Sequence, residues 1–351
     1  MRLDEMIKPL NIKAMAEARV RQDTLTKPPG SLGRLEELSI QLAGIQGNPI
    51  PKIEHKAIIT MAGDHGVVAE KVGNWPQEVT TQMVYNFLGG GAGINVLARQ
   101  VGARVIVVDM GVATELKTDR RLVINNIGRG TGNIATGPAM TINQAEQSVE
   151  AGIKLVQDEA GKGLDIVGTG DMGIGNTSAS SAICAAITGK SVAEVTGRGT
   201  GLSDEQLNHK TEVIRRALEL NQPDAANPLD VLAKVGGFEI GGLAGVMIGA
   251  AASRIPVLID GFISGAAALI ATTLCPALKD YLIASHVSAE AGHRIMLEHM
   301  ELQPLLNLDL RLGEGTGAAL GMFLVEASAR ILSEMATFAE AGVSEGDETH
   351  H

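Results

Sequence analysis

Residues 164–177 read Leu-Asp-Ile-Val-Gly-Thr-Gly-Asp-Met-Gly-Ile-Gly-Asn-Thr, and the next ten, Ser178 to Ile187, read S-A-S-S-A-I-C-A-A-I. A short apolar strand (Leu164 to Val167), a glycine loop (Gly168 to Thr177) and a small-residue helix follow in order. That order marks a βα unit of a parallel sheet. It also suits a phosphate site, where loop N–H groups and a helix terminus face the anion. Gly168, Gly170 and Gly173 satisfy G-x-G-x-x-G, but the motif lies mid-chain and no acidic strand end follows about 20 residues on. A nicotinamide dinucleotide fold is therefore not expected. Thr188-Gly189-Lys190-Ser191 resembles the end of a P-loop, yet Cys184 stands where that loop needs its first glycine.

The same unit recurs on both sides. Upstream, Ala57 to Ala62 is a buried strand ending in Gly63-Asp64-His65-Gly66, where the Asp-His pair could bind a metal or cap a turn. Ala103 to Asp109 is a second strand. Ile142 to Glu159 reads as an amphipathic helix, with Ala145, Val149, Ile153 and Val156 on one face. Between them, Trp75 and Tyr85 could wall a flat heterocycle or fill the core. Downstream come Gly197-Arg198-Gly199-Thr200-Gly201, a helix bearing Lys210, and a small-residue helix opened by Gly236-Gly237. Ile255 to Phe262 reads as a strand with Asp260 at its end, and Tyr281 to Ser288 as the last strand, carrying His286. The first 48 residues read as helices, Ile12 to Gln22 and Leu32 to Ile45, divided by Thr26-Lys27-Pro28-Pro29-Gly30-Ser31, with Ser31 able to cap the second. Strands alternating with helices predict an α/β fold, a doubly wound, mostly parallel sheet. Its glycine loops should gather at the carboxyl edge, where such sheets bind ligands.

Composition narrows the function. The 351 residues are 45% hydrophobic but only 2% aromatic, and carry a net charge of −11. That charge, without basic runs or stacking aromatics, argues against a nucleic-acid partner. The two cysteines, Cys184 and Cys275, sit in apolar segments and read as small core residues. With no apolar leader at the N-terminus and no uninterrupted 18-residue apolar run, neither export nor a membrane anchor is expected, and the reading is cytoplasmic.

One carboxylate stands out. Leu310 to Leu320 reads L-R-L-G-E-G-T-G-A-A-L, with Glu314 between two glycines and a buried helix just downstream. Near apolar walls its pKa could rise enough for it to act as a base, and the helix N-terminus there favours an anion. Neither a paired acidic metal site nor a working P-loop accompanies it, which disfavours kinase or nucleotidyl chemistry. Val105 to Val108 ends in the single acid Asp109, unlike the paired acids of ordinary diphosphate-dependent transfer. What remains is transfer at a sugar carbon without metal help, served by one base.

At this point the chain resembles a known family. Thr26 to Glu36 (T-K-P-P-G-S-L-G-R-L-E), Ala62 to Val67 (A-G-D-H-G-V), Asn86 to Arg99, Met172 to Thr177 (M-G-I-G-N-T) and Thr196 to Leu202 carry the likeness. So do Ile259 to Leu269, Ser285 to His293 (S-H-V-S-A-E-A-G-H) and the Glu314 stretch. Together, in order over nearly the whole chain, they resemble the nicotinate-nucleotide–dimethylbenzimidazole phosphoribosyltransferases. The resemblance implies transfer of phosphoribose from nicotinate mononucleotide to 5,6-dimethylbenzimidazole with inversion at C1′, giving α-ribazole 5′-phosphate and nicotinate for the lower ligand of cobalamin. It implies a homodimer, no cofactor and no metal. It also implies a Rossmann-like six-stranded sheet with a small helical domain built from both chain ends. The expected division is residues 1–48 (helices of the small domain), 49–290 (nucleotide and base binding), 291–345 (catalytic loop and helices) and a flexible tail, 346–351.

Carried over by residue, Glu314 is the general base and Asp171 a carboxylate that could assist. Gln82, with the segment near Asn74, lies beside the base. Gly173, Gly199, Gly201, Lys210 and Arg311 hold phosphate and ribose, and Asn176 joins the substrate site; Asp260 and His286 suit either a substrate contact or a structural role at the sheet edge. Two departures are visible: Asp171 stands where the family usually has Glu, shortening its reach by about 1.5 Å, and Gly241 where it usually has Ala. Another acceptor (a different benzimidazole, adenine or a phenol) and a catalytically silent nucleotide-binding subunit stay open as alternatives.

Overall fold

The computed structural model describes residues 3–199 and 201–344; the expectation for the tail falls outside them. Six parallel strands form the main sheet: β1 (Lys56–Gly63), β2 (Ala103–Gly111), β3 (Leu122–Ile124), β4 (Ile166–Met172), β5 (Val257–Ile259) and β6 (Leu282–Ala284). Their order is β3-β2-β1-β4-β5-β6. The chain winds outward from β1 in one direction and from β4 in the other, so the switch point lies between these two strands, where their carboxyl ends leave a crevice. β1 is buried at all eight positions, as expected of a central parallel strand covered on both faces.

Several boundaries differ from the sequence reading. β4 runs through Met172, so Gly168 and Gly170 belong to the strand and not to a phosphate loop. The reason is steric: a Cβ on Gly168 would meet Ile58 and Ala318, and one on Gly170 would lie 2.3 Å from the Glu314 carbonyl oxygen. The apolar run from Ile255 keeps only three residues as strand, because Gly261 and Phe262 already open a helix. The last run divides: β6 stays in the main sheet, while β7 (His286–Val287) pairs with β8 (Leu306–Asn307) in a separate two-stranded sheet. β3, at the sheet edge, has no counterpart in the sequence reading; three residues give too short a pattern to read.

The helices are α1 (Ile12–Thr24), α2 (Arg34–Gln46), α3 (Glu78–Gly89), α4 (Gly93–Gln100), α5 (Ile142–Ala160), α6 (Asn176–Thr188), α7 (Val192–Val195) and α8 (Asp204–Asn221). After them come α9 (Pro228–Val235), α10 (Phe238–Ala252), α11 (Phe262–Leu274), α12 (Ala291–His299), α13 (Thr316–Glu334) and α14 (Phe338–Ala341). The predicted face of α5 is buried at Ala145, Val149, Ile153 and Val156. It packs on α10 at backbone distance, because a Cβ on Gly152 would fall 1.9 Å from the Gly242 carbonyl oxygen and one on Gly245 2.0 Å from that of Val149. Gly241 belongs to this seam, its Cα facing the Ser148 hydroxyl. Helices cover both faces of the sheet. α10 sits over Met61 and Met110 through Gly242, and the first turns of α13 sit over Gly168 on the other face. No helix among the described residues is long and apolar enough to cross a membrane.

Two compact units are distinguished, residues 3–8 with 55–322 and residues 9–54 with 323–344. The Glu314 loop thus lies in the larger unit, although the sequence reading grouped it with the C-terminal helices. The smaller unit has its own core of Ala18, Ile40, Ala43 and Leu332. Asn11 caps α1, and Gly33 rather than Ser31 precedes α2. There the buried Glu36 accepts the N–H groups of Gly30 and Leu32 and pairs with Lys27 at 2.9 Å, which holds the Pro-Pro-Gly turn.

Candidate active site

At the switch point the carboxyl ends of β1 and β4 approach so closely that a Cβ on Gly173 would sit 2.2 Å from the Gly63 carbonyl oxygen. Gly175, with φ +97°, then turns the chain into α6 without a side-chain cap, the N–H groups of Asn176 and Ser178 turning back onto the carbonyls of Gly173 and Gly175. Two cavities share this turn as a common wall. One, of about 440 Å³ including open solvent, is lined by Asn74, Trp75, Arg198 and Lys210 as well as by Gly173, Asn176 and Thr177. The other, of about 700 Å³ including open solvent, adds Asp171, His286, Glu290, Arg311 and Gly313 to the shared residues. Gly199 lines both.

Cations flank the shared turn from both cavities. Lys210 is only 1% exposed, and its ammonium donates to the Thr177 hydroxyl at 2.9 Å and to the Gly197 carbonyl at 3.4 Å. Burial pulls its pKa down to about 8, against the pull of Glu290. Arg311 donates from Nη1 to the Gly199 carbonyl at 3.1 Å. A cation, a helix N-terminus and glycine backbone thus converge on one turn.

Glu290 escaped the sequence reading although it stands inside S-H-V-S-A-E-A-G-H. Burial raises its pKa, opposed by Lys210 and Arg311. Its carboxylate occupies the space that a side chain at Gly197 would fill, since a Cβ there would come 1.9 Å from Oε2. Only the tertiary placement next to two cations reveals it.

Asp171 is buried at the end of β4, with Oδ2 accepting from the Asn176 amide at 2.9 Å and Oδ1 without a partner. Burial, with Asp260 and Glu239 adding their charge, raises its pKa well above the ordinary carboxylate value. Asp64 and His65 lie beneath the turn. Asp64 Oδ2 accepts the Ala113 N–H at 2.8 Å, and His65 meets Glu239 at 2.6 Å, so both hold loops together. Burial works against a charged His65 ring, but Glu239 and Asp64 outweigh it and keep its pKa raised.

Glu314 is 5% exposed and lies in a run of three left-handed residues, Gly313 (φ +78°), Glu314 (φ +64°) and Gly315 (φ +100°). For a side chain bearing a Cβ that conformation costs about 1–2 kcal/mol. Packing holds it there: the Thr60 hydroxyl donates to the Glu314 carbonyl at 2.9 Å, and the side-chain Oε2 accepts the Ile94 N–H at 3.0 Å, at the first turn of α4. Burial raises the Glu314 pKa, and the Ile94 hydrogen bond partly offsets this.

Of the remaining sequence candidates, Gly201 is exposed and gives its carbonyl to the Asn74 amide at 3.4 Å. Gln82 is exposed on α3 and lines neither cavity. Asp260 is buried and also lines neither; its carboxylate accepts the N–H groups of Gly315, Gly317 and Ala318. Burial pushes its pKa up to about 7, against those three donors. His286, in the wall of the larger cavity, has Nε2 3.7 Å from Asp260 Oδ1. Trp75 is 53% exposed beside the smaller cavity, and Tyr85 is 39% exposed, its hydroxyl accepting the Lys117 N–H, so neither ring is core.

A family model described as a phosphoribosyltransferase matches residues 7–343. A nicotinate-nucleotide–dimethylbenzimidazole phosphoribosyltransferase of Dehalococcoides mccartyi is 61% identical over 336 residues, covering 96% of both chains. One from a Roseiflexus species is 61% identical over 338 residues, again 96% of both. The crystal structure of the Thermus thermophilus enzyme of the same name superposes with a TM-score of 0.91 at 46% identity, covering 96% of this chain and all of that one. Matched over nearly its whole length in sequence and in fold, the chain belongs to the nicotinate-nucleotide–dimethylbenzimidazole phosphoribosyltransferase family.

Proposed function

We propose that the protein transfers phosphoribose from nicotinate mononucleotide to 5,6-dimethylbenzimidazole, with Glu314 as the general base, giving α-ribazole 5′-phosphate and nicotinate. The observation that carries the catalytic part is a single buried carboxylate held in a left-handed loop with its pKa raised. A carboxylate whose pKa is raised by burial is a stronger base than one in water. The turn at Gly173–Asn176, with Lys210, Gly199 and Arg311, supports binding of the nucleotide's phosphate and ribose. Trp75, exposed beside the smaller cavity, supports the approach of a flat base.

The chemistry needs little else. Nicotinate leaves from a pyridinium, so the ring nitrogen loses its formal charge on departure and no acid has to protonate it. The benzimidazole nitrogen forms the new bond to C1′ from the opposite face as the old C–N bond breaks. Glu314 takes the N–H proton, which leaves the product's imidazole neutral. Asp171, with its raised pKa, could sit by the departing ring or the ribose. The reading extends to a homodimer in the cytoplasm, on the strength of the family resemblance.

The test is direct. The protein is incubated without added metal with nicotinate mononucleotide and a panel of bases (5,6-dimethylbenzimidazole, benzimidazole, adenine, p-cresol), and nicotinate and α-ribotide are followed by chromatography. Nicotinate release in step with α-ribotide is expected, fastest with 5,6-dimethylbenzimidazole. No turnover with any base would sink the enzymatic reading, and a faster reaction with another base would reassign the acceptor.

A further inference from the structure

We propose that Asp260 is a positioning residue that holds the Glu314 carboxylate in its working orientation, and not a substrate ligand. The proposal rests on the reading of Glu314 as the base. Asp260 directly follows β5, is 1% exposed and, like Glu314, is not among the residues that line the two cavities; what sets it apart is that both its oxygens are taken by backbone N–H groups. Its Oδ2 accepts the Gly315 N–H at 3.0 Å, and its Oδ1 accepts those of Gly317 at 2.7 Å and Ala318 at 3.2 Å.

The peptide between Glu314 and Gly315 is therefore pinned at both ends. Thr60 on β1 holds its carbonyl, and Asp260 on β5 holds its N–H. Behind it, Gly170 leaves no room for the loop to sink, since a Cβ there would already clash with the Glu314 carbonyl. A residue with φ +64° relaxes readily once such restraints are removed, and its side chain swings with the backbone. Displacing a catalytic group by about 1 Å can cost roughly 100-fold in rate. Asp260 itself is steadied by the Thr169 hydroxyl, which accepts its backbone N–H at 3.3 Å. The other titratable groups that bear on it are His286 on β7, Asp171 on β4 and Glu314 itself.

The experiment is a double-mutant cycle on the full chain: wild type, Glu314→Gln, Asp260→Asn and the double variant, assayed with nicotinate mononucleotide and 5,6-dimethylbenzimidazole. For Asp260→Asn, kcat should fall about 10- to 100-fold while KM for nicotinate mononucleotide stays within about twofold. The acid limb of its kcat/KM profile should move to lower pH, because a carboxylate freed from its buried position ionises more easily. The double variant should be no slower than Glu314→Gln alone. Should Asp260→Asn not fold, Thr60→Val removes the other pin, and about a 3- to 10-fold kcat loss with the same non-additivity is expected.

A loss from either pin that multiplies in full onto a slow Glu314→Gln enzyme would overturn the positioning role. So would a rise in KM for nicotinate mononucleotide with kcat retained. A Glu314→Gln enzyme as fast as wild type would instead remove the general-base reading itself, and the clamp with it.

Discussion

Two of the glycine turns that open helices in this protein differ in what meets the helix N-terminus. At Gly173–Asn176 the helix N-terminus of α6 is left without a side-chain cap, lies in the wall of two cavities and has Lys210 close by. At Gly313–Gly315 the first N–H groups of α13 are already occupied, because the Asp260 carboxylate fills the place of an anion. A glycine turn before a helix offers the same donors in both cases. What separates the two turns is whether the protein itself supplies an anion to the helix N-terminus.

The largest expected effect sharpens that contrast. Glu314→Gln should lose at least about 100-fold in kcat with little change in KM for nicotinate mononucleotide, as steady-state kinetics would show. Retained turnover would mean that the second turn carries no base. Next comes a pair of steric probes. Gly170→Ala pushes a Cβ against the Glu314 carbonyl, and about a tenfold loss in kcat is expected. Gly173→Ala pushes one against Gly63 at the other turn and should act mainly on KM for the nucleotide. If both changes altered the same constant, the division of labour between the turns would be wrong.

A gentler probe is pH. With the Lys210 pKa pulled down to about 8, the ammonium is present below that pH and lost above it. KM for nicotinate mononucleotide should therefore climb as pH rises through 8 and beyond, by up to about tenfold. Lys210→Met should have a high KM at every pH. A wild-type KM that stays flat from pH 7 to 9.5 would remove Lys210 from anion binding.

The smallest effect concerns stability. The folded-state pKa of Asp171 is raised well above its ordinary value by burial. Its contribution to stability is thus fully present below the unfolded-state pKa and is lost as pH rises toward the folded one. Asp171→Asn removes that dependence, so its Tm should exceed wild type by about 2 °C at pH 8 and by less at pH 5. Equal shifts at both pH values in differential scanning fluorimetry would contradict the burial argument.

Much of the fold was legible because strands and helices write local patterns. The buried face of α5, the strands β1 and β2 and the turn before α6 follow from apolar spacing and glycine placement. Misreadings came where local pattern and packing part company. Gly168 and Gly170 look like loop residues, yet they are strand residues kept small so that the Glu314 loop and α13 can lie against the sheet. The run from Tyr281 looks like one strand but divides between two sheets. Glu314 was visible as a lone carboxylate among glycines. Glu290 and the true partners of Asp260 were not, since nothing local distinguishes a carboxylate that meets two cations from one in water.

By itself, then, the sequence determined the alternating α/β plan, the glycine turns at the carboxyl edge and the lone carboxylate, Glu314, set between two glycines. These rest on interactions between residues a few positions apart. Only the tertiary structure decided that Asp260 caps α13 from 55 residues away and that Ile94 holds the Glu314 side chain from 220 away. It alone brought Glu290 up to Lys210 and Arg311. The physical reason is that a hydrogen bond or a shifted pKa depends on distance and burial, and both are set by how the strands and helices pack.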